Sequence, residues 1–225
     1  MSVNRTRAIV LRRTNYGEAD RILQFITPEG RRSAMARGVR REKSKLAGGI
    51  ELFAVSDIVL TKGKGELDIL TSAQLVHFYR HILDDYDRLQ FGYAVVKLVT
   101  RASETVDEAE WFDLLQEVFA GLDVASIPLT MIEAWFYLRY SALLGHELSL
   151  ERDVTDAKLE QDLVYRYDVG EKGFAINPNG EVTGDHIKLM RLLSSRSLSV
   201  LVQVGGVGEL LPTCAHIARV HASVD

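Results

Sequence analysis

The first seventy residues are broken by turn-forming clusters every ten or so positions, and no stretch between the clusters is long enough for a stable helix. This spacing leaves little room for anything but short antiparallel strands. Thr6–Arg12 (TRAIVLR) is apolar and β-branched and reads as a first strand, ended by the cluster Asn15-Tyr16-Gly17-Glu18. Arg21–Thr27 (RILQFIT) reads as a second, and Pro28-Glu29-Gly30 as the tight turn after it. Arg31–Arg37 returns as a third, short in bulk and edge-like. Gly38–Gly49 has no period and reads as a flexible loop. Ile50–Thr61 and Glu66–Thr71 are the fourth and fifth strands, joined by the hairpin turn Lys62-Gly63-Lys64-Gly65. Five such strands point to a small closed barrel.

After Thr71 the period becomes helical, beginning with Ala73 onward (AQLVHFYRHILDDYDRL). Asp107–Leu122 is amphipathic with acids in its first turn, which suits the helix dipole. Leu129–Leu144 is apolar on most sides and follows Pro128, so it is expected to form the core of a second domain. Glu147–Gln161 is polar and weakly helical. Leu163–Val169 and Gly173–Ile176 suggest a small hairpin, and Asp185–Leu193 and Val207–His221 closing helices. The fold class is therefore α+β: a five-stranded barrel at 1–78, then a mainly helical domain at 79–225 carrying a small β-hairpin.

Charge is distributed unevenly between these parts. Residues 1–45 hold twelve Lys/Arg against four Asp/Glu, a net of +8, although the whole chain carries −4. A basic head on an acidic body is the footprint of local polyanion binding. The charge is densest in Gly30–Lys45 (GRRSAMARGVRREKSK), where Arg31, Arg32, Arg37, Arg40, Arg41, Lys43 and Lys45 are opposed only by Glu42. Arginine predominates, and its forked donors suit phosphate oxygens. A solvated arm is the competing reading of such a block. The small-barrel context favours binding, because such barrels use one face and the flanking loops for oligonucleotides. Lys62 and Lys64 on the hairpin tip add a second contact, and Tyr16 is the best candidate for stacking on a base. Phe25 and Phe53 read as core.

Other chemistries find little support. No apolar run is long enough to span a membrane, and the N-terminus lacks a signal-peptide core, so a cytoplasmic location is expected. Cys214 is the only cysteine, which excludes an intramolecular disulfide and a cysteine-rich zinc site. His77 and His81 lie four apart on the expected helix but lack the hydrolytic zinc pattern. The serines at 194–199 lack a nucleophile-elbow context, and Gly205-Gly206-Val207-Gly208 lacks the Lys and Ser/Thr of a phosphate loop. No catalytic residue, metal ligand or cofactor is expected.

The order AIVLRRTNYGEADRILQFITPEG (Ala8–Gly30), continued by ARGVRREKSK (Ala36–Lys45), resembles the start of the RecO family of recombination mediators. The shared positions are Tyr16, Glu18, Asp20, Thr27, Glu29, Gly30, Gly38, Arg40, Arg41 and Ser44. The likeness is strong over about residues 3–75 and diffuse beyond. It implies an N-terminal OB-fold and a helical domain. It also implies binding of single- and double-stranded DNA, strand annealing, and contact with the single-strand binding protein and RecR. Through these the family helps load the RecA recombinase, which places it in the cytoplasm at the nucleoid. Many members carry a four-cysteine zinc module at about the place of Leu148–Ile187. This chain has no cysteine there, so its hairpin is expected to be held by packing through Leu163, Tyr165, Phe174 and Ile176. The alternative is an interaction module whose basic head takes the acidic tail of a protein partner, such as the single-strand binding protein.

Overall fold

Alternation in the first strands sorts the side chains into an inside and an outside. The computed structural model describes residues 3–63, 65, 67–106 and 108–223. Five strands close into a barrel: β1 (Val3–Tyr16), β2 (Asp20–Thr27), β3 (Gly30–Ala36), β4 (Ala54–Thr61) and β5 (Asp68–Phe78). Strand β1 is longer than its apolar run because it serves two partners. Val3–Ile9 pair with β4 and Ile9–Tyr16 with β2, both antiparallel. The barrel closes through a short parallel contact, Ala34 with Asp68 and Met35 with Ile69. Ala8, Val10, Leu23, Phe25, Ala34, Ala36, Ile58, Leu60, Leu70 and Ala73 fill the interior. This is the OB-like barrel expected, followed by helices and a later hairpin.

The turn Thr27–Gly30 shows why its residue types are needed. The buried Thr27 hydroxyl donates to the Gly30 carbonyl at 2.8 Å and accepts from the Glu29 amide at 3.2 Å. Gly30 has φ +99°, which glycine adopts without strain. The Glu29 carboxylate accepts from the Thr6 hydroxyl at 2.7 Å, tying the turn to β1.

The helical reading from Ala73 onward is overturned, since β5 continues to Phe78. Two bulges in its pairing with β4, between Val55 and Ser56 and between Val59 and Leu60, break the period of two. Leu70 and Ala73 consequently both face inward although they are three apart, a spacing that imitates a helix. A 3-10 turn (Arg80–Asp84) follows, then α1 (Tyr86–Ala102) and α2 (Glu110–Leu122). His77 is thus on a strand and His81 on the turn, where its Nδ1 lies 3.4 Å from Asp123 Oδ1. The barrel strands end at Phe78, but the compact unit extends to Asp123, because α1 and α2 pack on the outside of β1 and β2. Ile9, Leu11 and Ile26 are buried on that outer side. The beginnings expected at Glu66 and Asp107 lie outside the described residues.

The second unit, Val124–Asp225, is built on α3 (Leu129–Leu143), against which α4 (Gly184–Ser195) and α6 (Leu211–Ala222) pack. Trp135 and Phe136 are fully buried in α3. The hairpin is β6 (Tyr165–Asp168) with β7 (Gly173–Ile176), and α5 (Leu198–Leu201) is a single turn. Tyr165 and Phe174 are buried as expected, whereas Ile176 is exposed. Tyr167 and Val182 fill the hairpin's packed side instead, and Val182 exchanges two backbone hydrogen bonds with Tyr165. No helix forms over Glu147–Gln161. There Asp153 Oδ1 accepts from the Thr155 amide, the Thr155 hydroxyl and the Ala157 amide at 2.7–3.0 Å, which favours a turn over a helix. Among the described residues no helix is long and apolar enough to cross a membrane.

Three groups make this unit acid-sensitive. His221 Nε2 donates to the His146 carbonyl at 2.7 Å, so its Nδ1 must accept from the Tyr167 hydroxyl at 2.8 Å. Burial lowers the pKa of His221 and of His186, whose Nδ1 accepts from the Thr183 amide. The hydrogen bonds from Thr155 lower that of Asp153. Both histidines titrate lower in the folded chain, so the unfolded chain takes up protons first as pH falls below about 6.5. Stability is therefore lost from that pH downward, and Asp153 extends the loss below the ordinary carboxylate range. Urea midpoints should fall between pH 7 and 5, with a flatter slope in His221→Gln. An unchanged midpoint over this range would contradict the assignment.

Candidate nucleic-acid interface

The loop between β3 and β4 contains most of the basic block, and it is a chain of turns fixed at both ends. Val39 is buried in the barrel interior at one end, and Ile50 at the other, with Leu46 packed against it. Between them the Arg41 amide donates to the Gly38 carbonyl at 3.1 Å and the Ser44 amide to the Arg41 carbonyl at 3.0 Å. Near its far end, Gly49 abuts the Ala73 backbone so closely that a Cβ there would lie 2.5 Å from the Ala73 carbonyl carbon. The expected flexible loop is thus a ledge with defined backbone bonds.

This ledge lies against the β1–β2 turn. The Gly38 amide donates to Asp20 Oδ1 at 2.7 Å, the Arg40 amide to the Ala19 carbonyl at 2.9 Å, and Arg40 Nη1 to the Gly17 carbonyl at 3.3 Å. The fold thereby brings Tyr16, 55% exposed, to the same edge as Arg40. Arg37, Arg40, Arg41, Lys43 and Lys45 are all exposed, and among the described residues none has a salt-bridge partner. Unpaired cations in water can bind phosphates without first giving up an acidic partner.

Arg31 and Arg32 behave differently from the ledge and from each other. They are adjacent on a strand and so point to opposite faces. Arg31 faces outward beside Ile26 and donates through Nη2 to Glu104 Oε1 at 3.2 Å. Its charge is already compensated, so it is set apart from the unpaired cations of the ledge. Arg32 is paired with Phe25 in register but is exposed, near the short β3–β5 seam. Lys62 is exposed just past β4, and Lys64 lies outside the described residues. Phe25 and Phe53 are buried, and so is Tyr79, which follows β5.

A row of residues that carries no distinguishing sequence pattern runs across the outer face beside the ledge. A bulge in β1 between Val10 and Arg12 places Arg12 opposite Gln24, and Gln24 is opposite Ser33. Simple alternation would have sent Arg12 inward with Ala8 and Val10. The next row is Thr14, Ile22 and Met35. Gln24 Oε1 is enclosed yet accepts no hydrogen bond among the described residues. The face thus sets an exposed arginine and a hydroxyl on either side of an enclosed amide oxygen, bordered by two partly covered apolar side chains. Such a face can hold bases while the ledge holds their backbone. Among the described residues no group of three metal-binding side chains is gathered.

A family model described as "Recombination protein O N terminal" matches residues 1–79. A DNA repair protein RecO of Rubrobacter xylanophilus is 33% identical over 152 residues, covering 67% of this chain and 61% of that protein. One from Chlorobium phaeobacteroides is 32% identical over 182 residues, covering 78% and 69%. One from Dehalococcoides mccartyi is 28% identical over 216 residues, covering 92% and 84%. The matched region is thus less than two thirds of the Rubrobacter protein and a larger share of the other two.

Proposed function

Because the chain belongs to the RecO family of DNA repair proteins, we propose that it is a non-enzymatic, DNA-binding mediator of recombinational repair. The observation that carries this reading is the ledge of five exposed cations, none with a salt-bridge partner among the described residues, held beside Tyr16. Arg37, Arg40, Arg41, Lys43 and Lys45, with Arg32 and Lys62 further off, and Lys64 as the neighbour of Lys62 in the sequence, neutralise phosphates without reading sequence. Single strands additionally lay bases on the Arg12–Gln24–Ser33 face, whereas a duplex meets the cations alone. Neutralising two strands on one basic surface lowers their mutual repulsion, which promotes annealing without nucleotide hydrolysis. Contact with RecR and the single-strand binding protein, and through them loading of RecA, are what the family resemblance adds, with a cytoplasmic, nucleoid-associated location.

The test is fluorescence anisotropy of the wild-type protein with homopolymeric single strands between about 50 and 200 mM salt. Affinity should vary little among the homopolymers and fall steeply with salt. Five phosphate contacts correspond to a log–log slope of about −3.5 at about 0.7 per contact. A flat salt response would reject the reading. In that event, tight binding of an acidic peptide would favour the head as a protein-docking module.

A further inference from the structure

We propose that Asp20 is the positioning residue that sets the basic ledge in its binding geometry, acting through Arg40 and Arg41; this rests on the nucleic-acid reading above. An acid in the middle of a phosphate-binding edge is at first sight misplaced. Its carboxylate, however, is engaged with the Gly38 amide at 2.7 Å, a charge-assisted hydrogen bond. Gly38 has φ +63°, so the chain turns there, and it is the origin from which the ledge is built. Its carbonyl accepts from Arg41, whose own carbonyl accepts from Ser44. On the other side of Gly38, Asp20 opens β2 directly opposite Tyr16. One carboxylate therefore links the strand pair that presents Tyr16 to the turn that presents the two arginines.

Two further contacts fix the same point. Val39 is sunk into the barrel interior, and the Arg40 amide is bonded to the Ala19 carbonyl. Arg40 is consequently held at its backbone and, through Gly17, at its guanidinium before any ligand arrives. A long side chain so placed does not have to be ordered at the moment of binding, which is where a flexible arm loses affinity; Arg41 is set by its backbone bond to Gly38. The shared residues Tyr16, Asp20, Gly38, Arg40 and Arg41 thus form one device, although they lie on two separate segments.

The experiment combines two readouts on the full chain. Limited trypsin digestion reports the clamp itself, because Arg40, Arg41, Lys43 and Lys45 are cleavage sites whose access depends on ledge opening. Single-strand DNA affinity reports its consequence. Asp20→Ala should speed cleavage in the ledge roughly tenfold and weaken DNA binding by roughly tenfold. Asp20→Asn keeps an acceptor for the Gly38 amide and should stay within about twofold of wild type in both. In an Arg40→Ala/Arg41→Ala background, Asp20→Ala should weaken binding no further, whereas a merely structural role would weaken it again.

Unchanged cleavage in Asp20→Ala overturns the clamp whatever DNA does. Faster cleavage with unchanged affinity overturns the positioning role. If Arg40→Ala/Arg41→Ala itself binds DNA like wild type, the nucleic-acid reading fails, and the cleavage result still decides the clamp. Should Asp20→Ala not fold, hydrogen exchange of the wild type decides. Gly38 and Arg40 amides must then be protected, and free exchange at both overturns the proposal.

Discussion

The Phe53→Ala variant is expected to lose about 3–5 kcal/mol of stability, the usual cost of removing a buried phenylalanine. Phe53 is 1% exposed and lies just before β4. Its ring meets Tyr93 of α1 edge-on at 5.1 Å and Phe119 of α2 at 5.4 Å. Gly92 makes room for it, since a Cβ there would lie 2.9 Å from Phe53 Cε1. Its carbonyl accepts from the Tyr79 amide at 3.0 Å, which secures the end of β5. One residue thus joins β4, β5, α1 and α2. The positive φ of 57° offers no compensation, because alanine is strained there as well. At roughly 3 °C per kcal/mol for a chain of this size, the melting temperature should drop by about 10 °C. Probes in the barrel and in α1 and α2 should melt together. A loss under about 1 kcal/mol, or separate melting of the barrel and of α1 and α2, would mean that these two helices are not part of the barrel's cooperative unit.

The barrel was legible because its information is local. Gly17 and Gly30 sit where the backbone needs positive φ, and Thr27 bonds within its own turn. What could not be read depends on bulges or on distant partners. The bulges opposite Val55/Ser56 and Val59/Leu60 made the end of β5 look helical. The bulge before Arg12 concealed an outward-facing arginine on a run that alternates inward. Arg31 resembled its neighbours in the basic block, but Glu104, far along the chain, pairs with it. The ledge looked flexible because its period is absent. Its order comes from Asp20 and Ala19, across a turn and two strands, and from Val39, an isolated apolar residue among charges. Composition shows where the charge is concentrated, while the division into a held ledge, a compensated arginine and an outer strand face required the register.

That division assigns the largest functional effect to Arg40→Glu/Arg41→Glu. Both side chains are exposed and outside any salt bridge among the described residues, so reversing them should shift stability by no more than about 1 kcal/mol. Their effect on DNA should be far larger. Two phosphate contacts are lost and two repulsions replace them, so affinity at low salt should fall roughly a hundredfold, and the log–log salt slope should shrink by at least about 1.4. Arg31→Glu should disturb DNA binding much less, because its charge is already spent on Glu104. Single-strand DNA affinity as a function of salt, for wild type and Arg40→Glu/Arg41→Glu side by side, therefore decides whether this ledge is the binding surface. A weaker, flatter salt dependence in a folded double variant is the expected result. Equal affinity and equal slope in the two proteins would contradict it.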